Sequence, residues 1–344
     1  MTGAAEQRLT LRRGRVTEAT PGGGPEQRLV VEVPGRGPRA AIADVALVGT
    51  SAVGDDVVVN TQAADLELGS GGFDVVHVNL TRGLDGAGVP GAHVMKLNYS
   101  SLQHAVVPVE PADLRLPLDR PVGVIALHGQ LAPLAWAAAQ ARPGLRLGFV
   151  QTAGGALPGG HSQVVRELLD RGLLAGHLTA GSAYGGEAEA VTTAGALQSG
   201  LQERGWDAAV CGPGPGILGS ATPLGHGGLV ALESAHTALA LGCPVLLCPR
   251  MSSGDPRPRH QGLSHHSATV LELLLAPVTV ALPAGESAPI PAAHDVRSAD
   301  ADVDGYAASG LPARTMGRRL DEDRLFFAAA LAAGGVLTTM GDMT

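Results

Sequence analysis

The chain has 344 residues, 45% of them apolar but only 3% aromatic, so it can hold more than one core, built from Val, Leu and Ala rather than rings. A formal charge of −8 argues against a non-specific binder of nucleic acid or anionic membrane. The opening MTGAAEQRLTLRRGR has no hydrophobic signal core, and no run approaches the ~18 apolar residues of a membrane span, so a soluble, cytoplasmic protein is expected. Lys96 is the sole lysine, an imbalance that fits GC-rich coding better than function. Cys211, Cys243 and Cys248 all lie in or beside apolar runs, as reduced, buried thiols do.

Residues 1–118 read as an N-terminal β-barrel-like domain. Arg8–Thr17, Arg28–Val33, Ala40–Val48, Asp56–Asn60 and Phe73–Asn79 are short β-prone runs. Turn chemistry separates them, at Pro21–Gly24, at Gly69–Gly72, and at Val53–Val57, where a tight turn launches a strand. A proline-rich stretch from Val107 to Pro121 marks the boundary.

From 119 to 283 the rhythm changes to strand, polar loop, helix. Apolar strands are expected at Val122–Leu127, Leu145–Val150, Leu178–Gly181, Ala208–Cys211, Pro244–Cys248 and Val278–Leu282. Helices are expected at Leu131–Ala141, Ser162–Arg171, Glu187–Glu203, Gly228–Leu241 and Ser267–Leu275. Strands without polar alternation, separated by helices, imply a Rossmann-like α/β domain, a mostly parallel sheet covered on both faces. The strand ends carry His128, Thr152, the Gly212–Gly219 turn and Arg250, and such ends are where open α/β sheets bind ligands. Residues 284–344 read as a linker followed by a docking helix, Asp321–Ala333, which Phe326 and Phe327 anchor on its own domain or on a neighbouring subunit.

Two segments carry most of the chemistry. The turn after Cys211 contains a GxGxxG at Gly214, Gly216 and Gly219, with Gly212 ahead of it and Ser220, Thr222 and His226 beyond. Glycines there let backbone N–H groups approach a phosphate. As an NAD(P) fingerprint it is weak: Pro213 and Pro215 remove donors, and Arg250, not an acidic residue, follows the next strand. The second segment, Pro249–Ser267 (PRMSSGDPRPRHQGLSHHS), supplies Arg257 and Arg259 as an anion clamp and Ser264 as a helix cap. His260, His265 and Asp255 are its candidates for proton transfer, with His128 a further catalytic candidate. A metal at Asp255, His260, His265 and His266 is not expected, because H-x₄-H-H matches no standard zinc spacing and adjacent helical histidines diverge by about 100°. Glu187 and Glu189 read as the acidic first turn of a helix, with Glu187 kept as a ligand-site candidate.

The blocks NTQAADLELGSGG (60–72), MKLNYSSLQ (95–103), LHGQLAP (127–133), GPGPGILGSATPLGHGG (212–228) and PRMSSGDPRPRHQGLSHHS (249–267) together resemble an uncharacterised bacterial family, domain of unknown function 3866. The resemblance implies a shared fold and no established activity. It also implies His and Asp where this chain has Ser182 and Glu187, which weakens the case for catalysis at either position. From the residues, the expected function is an enzyme acting on a small phosphorylated or nucleotide-like substrate, held by the Gly-rich and Arg/His loops. The alternative is a ligand sensor or homo-oligomeric scaffold using the same loops as subunit contacts. A homo-oligomer is expected in either case, because the thin β core and Phe326–Phe327 need cover.

Overall fold

The structure, a computed structural model, describes residues 8–68 and 71–342, so the Gly69–Ser70 part of the second barrel turn lies outside the described residues. The chain divides into two compact units, residues 1–105 and 106–344. In the first, β1 (Leu11–Ala19), β2 (Glu26–Val33), β3 (Gly37–Asp44), β4 (Asp56–Asn60) and β5 (Asp74–Asn79) form a closed barrel in the order β1-β2-β3-β5-β4. Antiparallel pairing of β1 with β4 closes it. Period-two alternation directs Leu29, Val31 and Val33 of β2 inward with Val57 and Val59 of β4. The interior is aliphatic. Gly14 is required on β1, because a Cβ there would lie 2.5 Å from Val31. The turn before β4 is built on Gly54 at φ 95°. Asp55 beside it accepts from the Ala52 amide at 2.9 Å and from Asn79 Nδ2 at 2.9 Å.

The second unit is an eight-stranded sheet, parallel throughout, with helices on both faces. Its strands are β6 (Val122–Ile125), β7 (Leu147–Thr152), β8 (Gly176–Ala180), β9 (Ala188–Ala190), β10 (Ala208–Pro213), β11 (Val245–Cys248), β12 (Thr279–Pro283) and β13 (Asp295–Ala299). They run in the order β9-β8-β7-β10-β6-β11-β12-β13. The chain starts near the middle, builds outward through β7 to β9, then returns to insert β10 and continues the other way through β11. The order therefore reverses around β10, β6 and β11. Loops at the carboxyl ends of strands at such a switch point diverge and leave a crevice.

Alternate residues of the central strands feed two cores. Ile125, Val210, Leu246 and Cys248 face one layer, formed by α1 (Leu131–Ala141), α2 (Gln163–Asp170) and the C-terminal helices α6 (Val303–Ala308) and α7 (Arg324–Thr339). Val122, Val124, Cys211 and Leu247 face the other, formed by α3 (Thr193–Gln198), α4 (Val230–Ala240) and α5 (His265–Leu273). Burial on both sides is why these strands read as continuous apolar runs.

Three expectations change. The segment Glu187–Glu203, read as one helix, begins with strand β9, and α3 then passes into a wider π turn over Ser199–Glu203. Glu187 and Glu189 are therefore not a first helical turn. Glu187 accepts from the His177 amide at 2.7 Å, and Glu189 accepts from the Thr179 hydroxyl at 2.7 Å and the Gly185 amide at 2.6 Å. The region 284–314, read as a linker, supplies edge strand β13 and helix α6. Finally, α7 is buried on nearly every side, and Phe326 and Phe327 pack into the core with Tyr306. The unit covers its own phenylalanines, so they give no argument for a neighbouring subunit. Among the described residues no helix is long and apolar enough to cross a membrane.

Candidate functional site

The loops that follow β10 and β11 meet at the switch point. Residues 217–221 of the first, together with Arg250, Arg257, Arg259, His260 and His266 of the second and Met316, line a pocket of about 230 Å³. Gln130, at the end of β6, fastens the floor. Its amide donates to the carbonyls of Cys248 at 3.2 Å and Pro249 at 3.1 Å, and its oxygen accepts from the amides of Ala126 and Leu127. A larger hollow of about 630 Å³ at the β12 edge is lined mainly by Ala, Pro and Leu, with Glu286, Asp300 and Arg324 among them. Nothing there matches the density of convergent polar groups at the switch point.

The Arg/His loop is organised around one carboxylate. Asp255 is fully buried and accepts from Arg257 through Nε at 2.8 Å and Nη2 at 2.7 Å, a bidentate fork. Arg250, 1% exposed, donates to the same carboxylate at 3.1 Å, and Arg318 does so at 3.3 Å. The hydrogen bond from Arg257 holds the Asp255 carboxyl well below the usual carboxylate range, so it stays ionised. Asp323 ties the loop from the other side, accepting from Ser252 Oγ at 2.7 Å, Ser253 N at 2.9 Å and Arg318 Nε at 3.0 Å. Four arginines, counting exposed Arg259, stand against these two carboxylates, leaving an excess of two positive charges. Among the described residues Arg259 makes no ion pair.

Beside the pocket, four histidines crowd together. Ser264 caps α5 by accepting from the His266 amide, and its hydroxyl lies 2.7 Å from His260 Nδ1. That cap starts the helix at His265–His266. The Gly-rich loop returns through an isolated antiparallel bridge between Gly219 and His226. It lays the His226 ring against His266, with centroids 3.7 Å apart and planes 20° from parallel. His265 lies 4.4 Å from His266 and 5.0 Å from His260, centroid to centroid. Burial, then Arg250 and Arg257, hold His260 down to about 3. Burial, then His226, hold His266 down to about 2. Burial lowers His226 and His265 as well, so the neutral form is favoured for all four rings. Neutral imidazole is the form that ligates a metal, and His226, His265 and His266 offer one nitrogen each, mutually within 4.8 Å. The H-x₄-H-H spacing describes one segment only, whereas His226 comes from another loop.

A family described as protein of unknown function (DUF3866) matches residues 40–334, most of the chain and all five of the blocks quoted above. The chain belongs to this family. No curated protein and no solved structure matches it.

In this family member the predicted site residues fall into three groups. Gly219, Ser220, His226, Arg250, Arg257, Arg259, His260, Ser264 and His265 converge on the pocket or its histidine wall, with Asp255 beneath as counterion. Gly212, Gly214 and Gly216 serve the backbone. A Cβ at Gly212 would sit 2.2 Å from Ile125, one at Gly214 would sit 2.2 Å from the Ala156 carbonyl, and Gly216 takes φ 70°. The GxGxxG does not open a helix, since α4 begins only at Val230, so the geometry of a dinucleotide fingerprint is missing. Thr222 bonds Ser220 within the loop rim. His128 and Thr152 lie elsewhere on the sheet's carboxyl edge, whereas Glu187 sits at the amino end of β9. His128 is buried between Pro213 O at 3.1 Å and Ser162 Oγ at 2.7 Å, and burial holds it down to about 4. Thr152 bonds the Ala153 carbonyl. Sequence reading missed Gln130, Met316, Arg318 and Asp323. The last three come from the C-terminal region read as linker and docking helix, and no local pattern marks them.

Proposed function

We propose that this chain is an enzyme that binds a small phosphorylated or nucleotide-like substrate in the switch-point pocket. The observation that carries the reading is the convergence of the loops after β10 and β11 on one pocket with an excess of two positive charges. Arg259, exposed and without an ion pair among the described residues, is the arginine available to a ligand, while Arg257 and Arg250 are engaged by Asp255 and supply field rather than first contact. The pocket volume of about 230 Å³ suits a compact anion rather than a dinucleotide. His260 faces the same pocket. Before substrate arrives it is a weak proton acceptor, because burial and the arginines disfavour its charged form. A bound dianion offsets the arginine field and raises that pKa, so substrate itself brings His260 toward the range where it can shuttle a proton.

The division of labour among the arginines sets the test. Phosphate esters and nucleoside monophosphates should raise the thermal midpoint of the full chain. Arg259→Ala should leave the ligand-free midpoint unchanged and weaken binding about tenfold or more. An Arg259→Ala protein that binds these ligands as tightly as the parent would sink the reading.

A further inference from the structure

We infer that His226, His265 and His266 form a binding site for one divalent first-row transition-metal ion of the zinc class, next to the anion pocket. The three ligand nitrogens lie within 4.8 Å of one another. In a tetrahedral site with metal–nitrogen bonds of about 2.0–2.1 Å, ligand nitrogens are roughly 3.4 Å apart, so ring movements of about an ångström close the set. The cluster is assembled by two separate loops, one fixed by the Gly219–His226 bridge and the other by the Ser264 cap.

The second observation is the state of the ring nitrogens. Among the described residues neither nitrogen of His226, 6% exposed, makes a hydrogen bond of ordinary geometry, the Pro223 backbone being its polar partner, and the buried Nε2 of His265 makes none either. A buried polar atom without a partner costs about 1–3 kcal/mol, and native proteins keep few of them. Poorly satisfied nitrogens on two of three histidines brought to one point suit a site built for a cation. Three imidazoles with one further position form the donor set of a catalytic zinc centre rather than a closed structural one.

Arg250 connects this site to the pocket. Its Nη1 donates to His266 Nδ1 at 3.1 Å. A metal-bound His266 must give that bond up. If Nδ1 ligates, its lone pair is taken, and if Nε2 ligates, Nδ1 carries the proton. Either way metal loading frees one arm of Arg250, which also lines the pocket. The added positive charge then favours an anion at the open position and between the arginines. Metal and anion should therefore bind cooperatively.

The metal inference does not depend on the phosphate reading, and the experiment keeps the two apart. The full chain, free of affinity-tag histidines and stripped with chelator, is titrated in phosphate-free buffer with Co²⁺, followed by Zn²⁺ competition. The expected result is one equivalent of Co²⁺ with the intense visible bands of a four-coordinate ion, displaced by Zn²⁺. His226→Leu should weaken binding by more than about 100-fold, the upper range for losing mere supporting contacts. It removes two nitrogens without a well-formed hydrogen bond from the interior, so circular dichroism should show an intact fold, and His265→Asn provides a second, partly exposed position. Less than a tenth of an equivalent bound by the parent chain overturns the proposal, as does undiminished binding by both variants. Arg259→Ala should retain the metal whatever it does to phosphate, so undiminished phosphate binding by that variant overturns only the anion reading.

Discussion

At the scale of single residues, the Arg/His loop combines buried ion pairs with an exposed arginine. Asp255 is fully buried under Arg257, Arg250 and Arg318. Asp255→Ala strands buried Arg250, and removing one partner of a buried pair costs about 3–5 kcal/mol. Urea unfolding should show that loss, whereas Arg259→Ala should move the midpoint by no more than about 0.5 kcal/mol. Buried histidines add a pH signature. Burial lowers His128 to about 4, and burial followed by the charge of His128 lowers His177 to about 3, against about 6.5 in an unfolded chain. Below pH 6.5 the unfolded chain takes up protons that the folded one refuses. Stability is thus full above about 6.5 and falls as pH drops toward the folded values, by up to about 1.4 kcal/mol per pH unit for each histidine. Unfolding measured at pH 7.5, 6.0 and 5.0 should show this slope, and His128→Gln should flatten it by up to one proton.

At the scale of elements, the contact between α1 and α7 is the most sharply specified. Gly334 lets the helices touch, since a Cβ there would lie 2.3 Å from the Leu134 carbonyl and 2.8 Å from the Ala137 methyl. Backbone cannot yield as a flexible side chain can, so Gly334→Val should cost about 1–3 kcal/mol. Its neighbour Gly335 faces open space. Gly335→Ala should stabilise the helix by about 0.5–1 kcal/mol, because alanine has the higher helix propensity. Thermal melts of the two variants should therefore move in opposite directions. The element boundaries were legible where pattern and packing agree: α1 spans Leu131–Ala141 and β4 spans Asp56–Asn60, as their apolar periodicity predicts. Periodicity failed at Ala188–Ala190. Three residues at a sheet edge carry too little pattern to stand out from the helix that follows, and their strand state comes from pairing with β8.

At the scale of the whole molecule, each unit has its own core. Val16, Leu29, Val31 and their neighbours fill the barrel, and two larger clusters sandwich the parallel sheet. Residues 106–344 produced alone should unfold in a single cooperative transition, and loss of cooperativity in urea would show that they depend on the barrel. The same shortened chain should keep the response to phosphate esters, because every pocket residue lies within it.

The sequence by itself determined the two-part architecture and most of the central strands and helices, and it singled out the two loops that meet at the switch point, because apolar periodicity and turn chemistry are local properties. It also marked Arg257, Arg259, His226, His260 and His265 as chemistry-bearing. Only tertiary structure decided which arginine is free and which is held by Asp255. Only tertiary structure brought His226 to His265 and His266, and set Arg318 and Asp323 under the loop from more than fifty residues away. Each of these facts depends on the strand order that inserts β10 beside β6 and sends the chain across to β11. Pairing of distant strands is settled by how the whole sheet buries its two faces, and no window of neighbouring residues contains that information.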